Sequence, residues 1–315
     1  MKKIIPLKLQ TPFAEGSVFA YAVIGDGAVL VDTGNPGPSS INELKSQLDL
    51  HKLSFKDFDS IVLTHLHTDH SGGVSEILKE VDLPVYVHEN AEWTITGGIN
   101  EFKRTNEFFY SFMEECGADP REHMAIRTYR EENWGNVSYI RDKDTLPMAG
   151  ISFEVLYVPG HSQTDIVLWD PKTGITFGGD LLIADFSVNP FVEPPPPGME
   201  NRPKSLLQYR HSLERVKNLP LGTIYPGHGE PFMNHIELIE RRLAEQENRC
   251  FNIQECLLSG EKNVYELCGM VYPRLHGRMI FLGLSQIQGH LDLMETRNMV
   301  EGYNKGPVRY YKLVL

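Results

Sequence analysis

A cysteine framework, a long apolar run and a surplus of basic charge are all missing from this 315-residue chain. No stretch approaches the roughly 20 apolar residues that a membrane-spanning helix needs, so no membrane partner is expected. Met1-Lys2-Lys3-Ile4-Ile5-Pro6 starts basic but lacks the apolar segment of a secretory signal. The four cysteines, Cys116, Cys250, Cys256 and Cys268, form no C-x-x-C pair, which fits reduced thiols in a cytoplasmic protein. The net charge is −12, and residues 1–231 carry all of it, with 20 basic against 32 acidic side chains. Residues 232–315 balance at ten of each. An acidic body repels phosphate backbones and anionic lipids, unless part of that charge is neutralised by bound cations.

Against these absences stands a 41% apolar composition, enough for one large domain and a smaller one. Residues 18–24 and 28–32 read as strands of a hairpin around Gly25-Asp26-Gly27. A helix is expected over 36–50, with Pro36 near its start, then a buried strand over 60–64 and a short helix from Val74 to Lys79. Val85-Tyr86-Val87 is another strand. Residues 92–135 carry an aromatic-rich helical pattern that includes Phe102, Phe108, Phe109, Tyr110, Phe112 and Met113. Strands resume over 151–158, 165–169 and 174–178, and the proline-rich stretch 190–203 reads as a stiff, extended loop. Helices follow over 204–217 and 235–258, separated by a short strand at 222–225; the tail reads as helix, helix and a hairpin turning at Asn304-Lys305-Gly306.

The informative segment is Thr64-His65-Leu66-His67-Thr68-Asp69-His70-Ser71-Gly72-Gly73. Three histidines and an aspartate fall within six residues at the end of a buried strand, and a glycine pair leads out. Such spacing lets His65 and His67 share one ion while Asp69 and His70 reach a second. Imidazole and carboxylate donors suit zinc, manganese and iron.

His65-x-His67-x-Asp69-His70 resembles the signature of the metallo-β-lactamase superfamily. Four further fragments follow the same resemblance: Asp32-Thr33-Gly34, Pro159-Gly160-His161-Ser162, Gly178-Gly179-Asp180 and Tyr225-Pro226-Gly227-His228-Gly229. Each alone is weak, but the set covers roughly residues 15–235. The resemblance implies an α/β fold, an αββα sandwich with its site at one edge between two sheets. It implies two divalent metal ions, zinc being expected and iron or manganese the alternatives. His65, His67 and His161 would hold the first, Asp69, His70 and His228 the second, with Asp180 bridging and Asp32 orienting a ligand histidine. Asp69, Asp180 and Asp32 are thus the candidate catalytic carboxylates. The expected reaction is hydrolysis of a small ester, thioester or lactone by a metal-bridging hydroxide. Alternatives are a single-strand endoribonuclease, an iron-dependent persulfide dioxygenase and a non-catalytic, metal-stabilised nucleic-acid-binding module. Each of the other histidines, His51, His88, His123, His211, His235, His276 and His290, reads as a surface or core residue.

Ninety positions separate His70 from His161, and the excess is the aromatic segment. Its helices either cap the site or pack as ordinary core; Phe102, Phe109, Met113 and Cys116 recur at near-helical spacing that suits both. The expected catalytic domain is 1–235 with an insertion at about 92–135, followed by a linker helix and small domain over 236–315. The tail resembles the winged-helix domain of one branch of the superfamily, through Val264–Leu267, Ser285–Glu295, Val300-Glu301 and Lys312. A winged helix reads nucleic acid through a basic helix. Here that helix offers Asp292, Glu295 and only Arg297, so packing or homodimerisation is favoured over nucleic-acid binding.

Overall fold

The computed structural model describes residues 2–12, 16–124, 128, 129, 131 and 133–314. Positions 125–127, 130 and 132 of the expected insertion lie outside them. In chain order the elements are β1 (Lys3–Gln10), β2 (Ser17–Gly25), β3 (Gly27–Val31), α1 (Pro38–Asp49), β4 (Ser60–Val62), α2 (Thr68–Ser71), α3 (Val74–Leu78) and β5 (Val85–His88). Next come α4 (Glu92–Thr96), α5 (Gly98–Cys116), α6 (Pro120–His123), β6 (Val137–Ile140), β7 (Thr145–Met148), β8 (Ile151–Tyr157), β9 (Ile166–Trp169) and β10 (Thr176–Gly179). The remainder are α7 (Ser205–Lys217), β11 (Ile224–Pro226), α8 (His235–Leu257), β12 (Lys262–Asn263), α9 (Val264–Val271), α10 (Ile280–Thr296), β13 (Val300–Lys305) and β14 (Val308–Leu313).

The chain divides into two compact units. One comprises Met1–Thr96, Glu132–Val188 and Ser212–Leu238; the other comprises Gly97–Glu131, Asn189–His211 and Ile239–Leu315. The first unit holds a six-stranded sheet, β1-β2-β3-β4-β5-β6, and a five-stranded sheet, β11-β10-β9-β8-β7. Strands β1 to β3 pair antiparallel as hairpins, while β3 through β6 run parallel.

Period-2 alternation explains the layering. On β2, Val18, Ala20 and Ala22 face one core, and Phe19, Tyr21 and Val23 face another. Strand β3 divides likewise, with Ala28 and Leu30 on one side and Val29 and Val31 on the other. The first core is closed by Ile41, Leu44 and Leu48 of α1. The second is shared with Phe153, Val155, Leu168 and Phe177 of the five-stranded sheet, so the two sheets stack face to face. Outside that sheet, the Ser212 hydroxyl and Arg215 guanidinium of α7 donate to the carbonyls of Pro159 and Tyr157. Strand β1 carries Ile5, Leu7 and Leu9 inward, and its Pro6 is tolerated because β1 is an edge.

The second unit has its own core. Phe112, Met113 and Cys116 of α5 join Ile253 and Leu257 of α8, Leu267 and Cys268 of α9, and Leu284, Ile287 and Leu291 of α10. A three-stranded sheet, β12-β14-β13, completes it. The expected tail hairpin is present, with Gly306 at φ 63° just past β13. Arg202 clamps Asp292 with two hydrogen bonds of 2.7 and 2.8 Å, tying the proline-rich stretch to α10. The aromatic insertion therefore packs with the C-terminal segment.

Candidate metal centre

Strand β4 ends at Val62, and the buried Leu63 is the last apolar anchor before the histidine segment. His65 and His67 follow, His67 in extended backbone at the start of α2, and the single turn of α2 presents Asp69 and His70. A Cβ at Gly72 would lie 2.3 Å from the Thr68 carbonyl oxygen and 2.4 Å from Pro36, so that turn closes only over glycine. His161 sits in the turn between β8 and β9. That turn is tied to the histidine segment by Leu66 N–H on the Thr164 hydroxyl at 3.1 Å and by Ile166 N–H on the Thr64 carbonyl at 2.9 Å. Asp180 and His228 leave the ends of the parallel pair β10 and β11, joined by Gly227 N–H to the Gly179 carbonyl at 2.8 Å.

All seven side chains predicted as metal ligands converge. His65, His67 and His161 offer donor atoms within 4.8 Å of one another, as do Asp69, His70 and His228. His65, His70 and Asp180 form a third such group. The Asp180 carboxylate stands 3.2 Å from His161 Nε2, 3.4 Å from His70 Nε2 and 3.5 Å from His228 Nε2, between the two triads. All are buried except His67, which is half-buried. Asp32 lies behind them, its Oδ2 accepting from His70 Nδ1 at 2.9 Å. His228 Nδ1 donates to the Ser17 carbonyl at 2.6 Å.

The charge pattern asks for cations. Burial alone would strip His70 of its proton, but Asp180, Asp69 and Asp32 outweigh burial and raise its pKa well above the usual value. His228 is raised against burial by Asp180 and Asp69. Asp69 is held at about 2: burial pushes its carboxyl up, but His70 and the hydrogen bond from His228 pull it down. Asp180 is pushed well down in the same way, chiefly by His70 and His228. His65 and His67 go the other way, mainly through burial and neighbouring imidazoles, His67 to about 3. Neutral imidazoles beside buried carboxylates are a donor set for dications. His65 Nε2 is buried without a hydrogen-bond partner, and His70 Nε2 and Asp180 Oδ1 face each other at 3.4 Å without a well-aligned hydrogen bond, a set of buried polar atoms that a cation would satisfy. The residues fit divalent metal.

Residues 14–228 match the metallo-beta-lactamase superfamily. The chain belongs to that family. It is 31% identical over 313 residues to the "Probable metallo-hydrolase YqjP" of Bacillus subtilis (strain 168), covering 98% of this chain and 97% of that one. A "Hydroxyacylglutathione hydrolase" of Bdellovibrio bacteriovorus is 24% identical over 221 residues, 70% of this chain and 65% of that one. Among solved structures, a metallo-beta-lactamase family protein from Thermus thermophilus superposes with a TM-score of 0.80 at 22% identity, covering 99% of this chain and 98% of that one. A beta-lactamase domain protein from Burkholderia ambifaria gives 0.77 at 17% identity, covering 99% of this chain and 92% of that one. The protein is thus a metallo-hydrolase of this fold with a histidine–aspartate metal-binding cluster. Among the described residues, no helix is long and apolar enough to cross a membrane.

Sequence reading gave no role to the residues that hold the candidate ligands. Ser17 and Tyr21 belong to no spacing pattern, and Thr64 stands in the histidine segment without a role read for it. Tyr21 donates its hydroxyl to the Pro226 carbonyl at 2.6 Å, across 205 positions, and Phe19 N–H reaches the Gly227 carbonyl at 2.8 Å. These two bonds pin the His228 turn to β2. The spare histidines carry none of the cluster: His88, His235 and His290 are buried, His123 is half-buried, and His51, His211 and His276 are exposed.

Proposed function

We propose that this superfamily member is a dinuclear hydrolase of a small ester, thioester or lactone. The carrying observation is the pairing of two triads, His65/His67/His161 and Asp69/His70/His228, with Asp180 placed against both. Two bound dications would supply an activated water near neutral pH and polarise the electrophilic oxygen. His65, His67 and His161 hold one site, Asp69, His70 and His228 the other, and Asp180 is shared. Asp32 keeps His70 in the tautomer that leaves Nε2 for ligation. Zinc suits this all-imidazole and carboxylate set, with iron or manganese as the alternatives. Four free cysteines fit a cytoplasmic setting.

We read the C-terminal helix–helix–hairpin as a winged-helix-like domain with a packing role. The helix that would read nucleic acid is α10, and its residues from Gly283 to Met294 are almost all buried. Elemental analysis should give two metals per chain. A panel of p-nitrophenyl esters, thioesters, lactones and a phosphodiester should show turnover of carbonyl substrates. Turnover of the phosphodiester alone, or a salt-sensitive gel shift with single-stranded RNA, would defeat this reading.

A further inference from the structure

We propose that Thr64 is a positioning residue that sets the tautomer of His65 from the same carboxylate that orients His70; the inference rests on the metal-centre reading above. The argument is one of hydrogen-bond direction. Asp32 Oδ1 takes the Thr64 backbone N–H at 2.8 Å, and Oδ2 takes the Thr64 hydroxyl at 2.8 Å and His70 Nδ1 at 2.9 Å. A carboxylate only accepts, so the single hydroxyl proton of Thr64 points at Asp32. The same hydroxyl oxygen lies 3.1 Å from His65 Nδ1. With its proton spent on Asp32, it can only accept there, so His65 carries its hydrogen on Nδ1. The lone pair is left on Nε2, which is buried and has no hydrogen-bond partner. Asp165 Oδ1, 3.8 Å from the same Nδ1, is too far to bond but favours a proton at that atom too.

One carboxylate thereby prepares one imidazole in each triad, His70 directly and His65 through a hydroxyl. Asp32 has φ 58°, in the left-handed region that aspartate tolerates better than most residues, and its bonds to Thr64 and His70 hold the carboxylate in place there. Without the hydroxyl, His65 Nδ1 loses the acceptor that holds its hydrogen. The alternative tautomer, with its hydrogen facing the metal position, then competes with ligation.

Thr64→Val removes the hydroxyl while keeping the volume and the backbone N–H to Asp32; Thr64→Ser restores it. Metal-stripped parent and variants are titrated with zinc against a chromophoric chelator. The valine variant should lose about 10–100-fold in the affinity of one zinc, and the serine variant should stay within about threefold of the parent. In the full-length parent, nitrogen-15 imidazole spectra should show His65 protonated at Nδ1, a readout that needs no variant to fold. Unchanged zinc affinities in Thr64→Val, or a His65 signal protonated at Nε2, would overturn the proposal. Failure of the underlying reading looks different: the parent then takes up no zinc at all, and the proposal falls with it.

Discussion

At the scale of single residues, the cluster works because buried carboxylates and imidazoles are brought closer than they would tolerate without a cation. Asp180 faces three histidines at 3.2 to 3.5 Å. Asp180→Ala is therefore expected to lose bound metal and cut hydrolysis by more than about hundredfold, since even the outer partners of metal ligands are worth about 10–100-fold. Elemental analysis and initial rates on the same preparation check both. A sharper test is Gly227→Ala. The added Cβ would sit 2.2 Å from Asp180 Oδ1 and 2.6 Å from His70 Cε1. It should weaken metal uptake and cost about 1–3 kcal/mol of stability, as overpacking does elsewhere. Equal zinc affinity in that variant would show that the turn has room the distances deny. The side chains that converge in the cluster were legible in the sequence as candidate ligands because coordination chemistry restricts the residue types. Gly227 was legible only as part of a turn.

At the scale of elements, α5 and α10 are the informative cases. The aromatic pattern of α5 suited a cap over the site or ordinary packing, and periodicity could not separate the two. Phe112, Met113 and Cys116 are buried in the core of the second unit. Phe112→Ala should cost about 3–5 kcal/mol, read from denaturant unfolding, while the zinc content per folded chain stays unchanged. Helix α10 carries His290, 1% exposed, whose Nδ1 bonds the Gln286 carbonyl at 2.6 Å. Burial, aided by Arg249 and Arg210, pushes its pKa down to about 4. The folded state thus keeps His290 neutral while the unfolded chain takes up a proton below about 6.5. Its contribution is complete above that pH and is lost as the pH falls toward 4, at ~1.4 kcal/mol per unit and roughly 3 kcal/mol in all. His290→Gln should flatten the stability–pH curve in that window. Strand β1 went unread because Lys3, Lys8 and Pro6 dilute an alternation that only pairing with β2 makes visible.

At the scale of the whole molecule, three separate stretches of chain make up each unit. The tail cannot be an appendage to the second unit, because α9, α10 and the three-stranded sheet supply much of that core. Removing residues 260–315 should strip α5 and α8 of their partners, which dye binding to exposed apolar surface and a lowered melting temperature would report. All seven candidate ligands lie in the first unit, so zinc bound per soluble chain should persist. A truncated protein that melts like the parent yet binds no zinc would contradict this division.

By itself, the sequence determined the metal-binding chemistry, the order of the ligand turns and most strands of the sandwich. Ligand identity and strand alternation are written in neighbouring residues, and both survive without knowledge of distant partners. Tertiary structure alone decided what orients each ligand and which core the insertion joins. His228 is set by a carbonyl 211 positions away, and α5 is buried against helices that begin more than a hundred residues later. Hydrogen-bond direction and packing depend on which surfaces meet, and nothing local to Ser17, Thr64 or Phe112 specifies that.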